Sequence, residues 1–211
     1  MPALKSYNQL AGKSLERLAA ISDGIFAFAM TLLVLDLRVP LAAAIHSEQA
    51  LGQALLDLLP HIITWLMSFI TLGIFWNGQQ VQLDHLKRAD RHLTWIHLAF
   101  LASITLIPFS TELLGEFITY RLALLAYWLN ILLIGLIVFG SWGYACHAGL
   151  FKSNVSPGVD QAVRRRILVA QALYALGALL CLFSTYWSIG FIALVQLNYA
   201  VAPKFSPLSR V

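Results

Sequence analysis

The amino-acid sequence predicts an all-α polytopic membrane protein with six transmembrane helices and both termini on the cytoplasmic side. Three observations predict it. First, 59% of the 211 residues are hydrophobic and only 11% are charged. A soluble domain carries about a quarter charged residues, so this chain cannot cover its apolar surface with polar groups and belongs in a bilayer. Second, six stretches each approach the roughly 20 mostly apolar residues that a span requires. Third, Lys and Arg divide unevenly between the connectors. Lys5, Lys13, Arg17, Lys87, Arg88, Arg91, Lys152, Arg164, Arg165, Arg166, Lys204 and Arg210 fall on one side, and only Arg38 and Arg121 on the other. Positive charge stays cytoplasmic, so this asymmetry sets the orientation.

The first span is expected at 19–39, within RLAAISDGIFAFAMTLLVLDLRVP. No short apolar run with a small-residue cleavage site precedes it, so this span is expected to serve as its own insertion signal. The second, 58–78, is shaped by Pro60 near its start. The third, 92–111, is expected to end around Pro108, in LIPFSTELLGEF. The fourth is expected at 122–146, the fifth at 165–184 and the sixth at 187–203, the last two joined by the short STYWS stretch as a helical hairpin. Trp142, Tyr144, Tyr186 and Trp187 fall near span ends, where amphipathic rings favour the membrane–water interface. The whole chain, 1–211, reads as one six-helix domain.

Several function classes find no support. Cys146 and Cys181 are too few for a disulfide framework and lie near opposite membrane faces. The six histidines form no His-Glu-x-x-His motif, so no resident metal or other cofactor is expected. No phosphate loop or nucleophile elbow is present, so no enzyme is expected. Topology explains the basic clusters without nucleic acid, with some contact to anionic membrane lipid. The charged turn from Asp84 to Arg91 reads as a solvated helix end. Asn130 and Gln171 lie inside spans and are expected to bond between helices, and Gly135 and Gly140 to let helices approach.

The chemistry concentrates in the first span. An acid at the mouth of a membrane helix is costly without a partner, which makes Asp23 a functional-site candidate. Its expected partners are Ser22, a tryptophan indole from a neighbouring helix, or Arg17, and a purely structural role as a register-fixing carboxylate stands beside ion coordination. At 100° per residue, Gly24, Phe28, Thr31 and Leu35 share one stripe with Leu32 on its flank. Such a stripe is either a packing face or the wall of a conduction path, in which rings of Phe28, Leu32 and Leu35 gate by dewetting. His97, inside the third span, is a candidate partner for the Ser22–Asp23 region.

Arg17, Ser22-Asp23-Gly24 and the run through Thr31 to Pro40 resemble the first helix of the bacterial six-helix relatives of the endosomal and lysosomal transmembrane potassium channel. SFITLGIFW (68–76) is similar to that family's second helix, and RADRHLTWIHLAFLASITLIPFSTELLGEF (88–117) to its third. The resemblance implies a homotetramer whose four first helices surround one central pore that passes K⁺ without a Thr-Val-Gly-Tyr-Gly filter. It puts the narrow apolar rings at Phe28, Leu32 and Leu35 and a selectivity-related hydroxyl at Thr31. Arg17, Ser22, Asp23, Trp76 and His97 would brace the pore helix. The expected partners are other copies of the chain, membrane lipid and monovalent cations, in the inner (plasma) membrane. The sequence departs from the family pattern at Phe28, usually Ile or Leu, at Ile21, usually Phe, and at Gln79 and Gln80, where the family carries a His pair that would bear on pH response or bracing. The alternative is a secondary transporter or proton pathway that uses Asp23 as its titrating group.

Overall fold

The computed structural model describes residues 14–152 and 157–201. Lys5, Lys13, Lys204, Arg210 and the last residues of the expected sixth span lie outside the described residues. Among the described residues the regular structure is helical, apart from one isolated antiparallel bridge between Leu86 and Phe151.

Helix α1 runs Leu15–Leu32, with Ser14 as its N-cap accepting from the Arg17 amide, and tightens into a 3₁₀ turn at Leu33–Asp36. The first span is therefore not α-helical through residue 39 as expected. A short exposed helix, α2 (Glu48–Asp57), is capped by Ser47. Apolar periodicity does not reveal it, because it buries no residue.

Helix α3 spans Leu59–His85, seven residues beyond the expected end of the second span. The third span also overruns its expected boundary: α4 (Arg91–Thr105) passes at Leu106 into α5 (Ile107–Glu116). Pro108 does not stop the chain, because it falls in the first turn of α5, where a missing N–H costs nothing. The Asn130 amide spans this break. Turned so that its nitrogen faces α4, it donates to the Ser103 carbonyl and accepts from the Ile107 amide, both at 3.2 Å. Asn130 is thus bonded between helices, whereas the Gln171 Oε1 has no partner.

Helix α6 covers Arg121–His147 and α7 covers Pro157–Leu179, continued by a 3₁₀ turn at Leu180–Leu182. Helix α8 covers Thr185–Val201. Five helical segments among the described residues are long and apolar enough to cross a membrane: Leu15–Asp36, Leu59–His85, Arg91–Glu116, Arg121–His147 and Gly158–Leu182. The expected sixth span corresponds to α8, 17 residues long up to the last described residue.

The charged turn expected to be merely solvated is in fact a clasp. Helix α6 ends in Gly149 at φ +62°, a left-handed geometry that glycine adopts without strain. The Leu150 amide returns to the Ala145 carbonyl and the Gly149 amide to that of Cys146, which satisfies the orphan carbonyls of the helix end. Lys87 and Lys152 amides then exchange bonds with Leu150 and His85 carbonyls at 2.9 Å, joining the ends of α3 and α6. Asp90 caps α4 through the Leu93 amide and accepts from the Tyr144 hydroxyl at 2.7 Å. Trp142, expected near a membrane interface, is 1% exposed and donates its indole N–H to Asp160 on α7.

Helix α1 packs against α3 and α4, α3 also against α5 and α8, and α6 against α4, α5 and α7. Behind α1 the core is Phe26, Ala29 and Leu33 against Leu72, Phe100, Leu101, Ile104 and Ile134. A second core centres on Tyr127. Its hydroxyl meets Ser68 and Thr71, Thr111 donates to Ser68 and the Gln196 Nε2 group to Thr71, so these helices are joined by buried hydrogen bonds, with the Gln196 Oε1 left without a partner. Of the two glycines expected to admit close packing, Gly135 faces the Gln171 side chain, while a Cβ on Gly140 would meet nothing within 4 Å.

Candidate functional site: the first helix and its brace

Helix α1 has two faces with the same spacing, offset by two residues. Ser22, Phe26, Ala29 and Leu33 are buried against α3 and α4. Gly24, Phe28, Thr31 and Leu35 lie about 200° further round at 100° per residue and are exposed, Phe28 to 64% and Leu35 to 69%. Leu32 is half-buried between the two faces. The stripe is therefore not a packing face within a single chain. The Thr31 hydroxyl donates to the Phe28 carbonyl at 2.8 Å, so its proton is held by its own helix.

Two polar joints fix the end of α1 that carries Arg17. Ser22 is fully buried and donates to the Leu18 carbonyl at 2.7 Å. One hydroxyl has one proton, so its oxygen must accept from the His97 Nε2–H, 2.7 Å away on α4. The Gln79 Nε2 group also donates to that oxygen, at 3.4 Å. The second joint is Asp23, exposed, whose Oδ1 accepts from the Trp76 indole N–H and the Gln80 Nε2–H, both at 2.8 Å. Four donors from α3 and α4 thus converge on two consecutive residues of α1. Arg17 is exposed and makes no bond to Asp23. Gln79 and Gln80 occupy the positions where the resemblance expects histidines, and both reach the Ser-Asp pair. They supply N–H donors that carry no charge and do not titrate.

The other end of α1 holds a cluster that sequence reasoning missed. Asp36, on the 3₁₀ turn directly after Leu35, has its Oδ2 3.4 Å from His61 Nδ1 on α3, and His61 Nε2 lies 3.8 Å from Glu116 on α5. Arg38 pairs with Glu112 at 3.2 Å across a cavity of about 460 Å³. A Cβ at Gly115 would come 2.8 Å from His61 Nδ1 and 3.0 Å from Thr64 Oγ1, so only glycine lets the imidazole sit there. The available signal was Asp36 itself, an acid inside the expected first span. Among the described residues, no group of His, Cys, Asp and Glu is arranged to hold a metal ion.

Apolar helices with exposed outer faces and a polar, multiply bonded joint on one of them define a helical integral membrane protein. The family described as the endosomal/lysosomal potassium channel TMEM175 matches residues 17–108. That segment takes in α1, the brace and α4. A potassium channel of Streptomyces collinus is 29% identical over 188 residues, covering 87% of this chain and 90% of its own length. An endosomal/lysosomal proton channel TMEM175 of Gallus gallus is 27% identical over 92% of this chain, which spans 38% of that protein. The crystal structure of a lysosomal potassium-selective channel TMEM175 homologue from Chamaesiphon minutus superimposes with a TM-score of 0.78 at 26% identity, covering 89% of this chain and 97% of that one. Over most of its length the chain is similar in sequence and in fold to proteins of the TMEM175 family, which are ion channels.

Proposed function

We infer that this chain is a potassium-preferring cation channel of the inner membrane, six spans with cytoplasmic termini, in which four copies surround a central pore lined by α1. The observation that carries the reading is the exposed stripe Gly24, Phe28, Thr31, Leu35 on a helix whose opposite face is fully packed. In a tetramer the stripes face one another. Phe28, Leu32 and Leu35 then form successive apolar rings that close by dewetting, with the Thr31 oxygen between them. Ser22 and Asp23, held by Trp76, Gln79, Gln80 and His97, keep each α1 at a fixed rotation, and Arg17 stands at the cytoplasmic mouth. The potassium channels of similar sequence, which align along nearly their whole length, support the choice of ion.

Purified protein in liposomes tests this. K⁺ flux down its gradient is expected, and its absence at several voltages and pH values overturns the reading. Leu35→Ala is expected to raise the leak severalfold by removing most of one apolar ring, and unchanged conductance counts against the stripe as pore wall.

A second reading, a proton pathway through Asp23, draws on the animal relatives named proton channels and on the exposure of that carboxylate. Asp23→Asn separates the two. A proton pathway loses its current, whereas a potassium pore keeps its flux, because the amide still accepts from Trp76 and Gln80.

A further inference from the structure

We propose that His61 is the positioning residue of the outer apolar ring: it ties the turn that carries Leu35 to α3 and α5, and protons on that side of the membrane tighten the tie. The effect on conduction rests on the channel reading above; the tie itself does not.

The brace at Ser22 and Asp23 cannot aim Leu35 by itself. It lies roughly 18 Å away along the helix at 1.5 Å per residue, and α1 ends between them, at Leu32. Leu33–Asp36 is a 3₁₀ turn, with three residues per turn in place of 3.6, so the direction of Leu35 is set locally. Its two flanks set it. Leu33 is buried in the core behind α1. Asp36, the residue after Leu35, has a side chain only 9% exposed, and His61 Nδ1 meets its carboxylate at 3.4 Å. A carboxylate withdrawn from water demands such a partner. With both flanks held inward, Leu35 stands outward.

His61 faces a second acid. Its Nε2 stands 3.8 Å from Glu116 Oε2, within ion-pair range and beyond a hydrogen bond. The Glu116 side chain is 65% exposed and free to close that gap. The other charged groups lining the cavity, Arg38 and Glu112, engage each other at 3.2 Å. A neutral imidazole has one N–H for the two acids, whereas an imidazolium has one for each. Protonation therefore adds a bond to Glu116 and a charge opposite both carboxylates. Histidine is the side chain that makes this change under mild acidification. The Leu35 ring widens only if its turn moves, so a tighter tie favours the closed ring.

Planar-bilayer recordings of K⁺ current test the role, with pH stepped between about 5 and 8 on the side that carries Arg38. Wild-type current is expected to fall severalfold on acidification. His61→Leu should raise the current at every pH and abolish the response. His61→Gln keeps an N–H for Asp36 and cannot gain charge, so it should restore the low current but not the response. Glu116→Ala, at an exposed position, should flatten the response as well. A response that persists in His61→Gln overturns the proton part, and His61→Leu currents equal to wild type overturn the positioning. A nitroxide on Leu35→Cys, in a chain lacking Cys146 and Cys181, reads the tie without any current. Its electron paramagnetic resonance spectrum should show greater mobility in His61→Leu and stay ordered in His61→Gln. An unchanged spectrum in both overturns the proposal, whereas loosening in a protein that passes no K⁺ supports the tie and overturns the channel reading alone.

Discussion

Ser22 shows how one hydroxyl organises a helix junction. Its proton goes to the Leu18 carbonyl, and its oxygen then serves His97 and Gln79 from two other helices. Ser22→Ala leaves both donors buried without an acceptor, at about 1–3 kcal/mol. A lower thermal unfolding midpoint in detergent checks this. His97→Gln keeps an N–H near the same place and is expected to lose less than His97→Leu. Gln79 and Gln80 bond to Ser22 and Asp23 through amides that do not change charge with pH. Gln80→His should therefore make flux respond to acidification between about pH 5 and 8, the range in which imidazole titrates, relative to the wild-type chain measured alongside.

Among the elements, α1 was the most legible in the sequence. The periodicity of Gly24, Phe28, Thr31 and Leu35 separated one face from another, and the structure exposes the first while burying Ser22, Phe26, Ala29 and Leu33. Periodicity alone left open whether the stripe packed or stood free, because that depends on which neighbours arrive from α3 and α4. The end of the third span was not legible. Pro108 reads as a stop, yet at the first turn of a new helix it is neutral, and the Asn130 amide that bridges the break comes from α6. The His61–Asp36–Glu116 cluster was hidden for a similar reason: its members lie 25 or more residues apart and meet only through packing. Gly115 is the residue that permits the meeting. Gly115→Ala is expected to push His61 off Asp36 and cost about 1–3 kcal/mol, as overpacking does. Thermal unfolding measures it, and Gly140→Ala, which meets open space, should change stability far less.

The whole molecule presents an asymmetry that calls for partners. Helix α1, like the other spans, is packed on one side, and its free side carries Phe28 and Leu35, large apolar groups next to a hydroxyl. Cysteine substitution in a background lacking Cys146 and Cys181 reads out what covers it. Thr31→Cys and Leu35→Cys are expected to cross-link between chains in membranes, whereas Leu72→Cys, buried within one chain, is not. A four-chain mass by light scattering after subtraction of detergent is expected alongside. Monomers with unreactive cysteines on the stripe would remove the basis of the pore.

Thr31 gives this geometry a directional character. Its hydrogen is committed to the Phe28 carbonyl one turn below, so only lone pairs remain to look outward. In the proposed tetramer, four such oxygens around a common axis would present electron density on every side and no proton to a passing anion. Chloride would find nothing to bind there, while a partly dehydrated alkali ion would find four ligands. Rejection of anions in this channel would then arise from the way one alcohol is turned, with no fixed charge at that level of the wall.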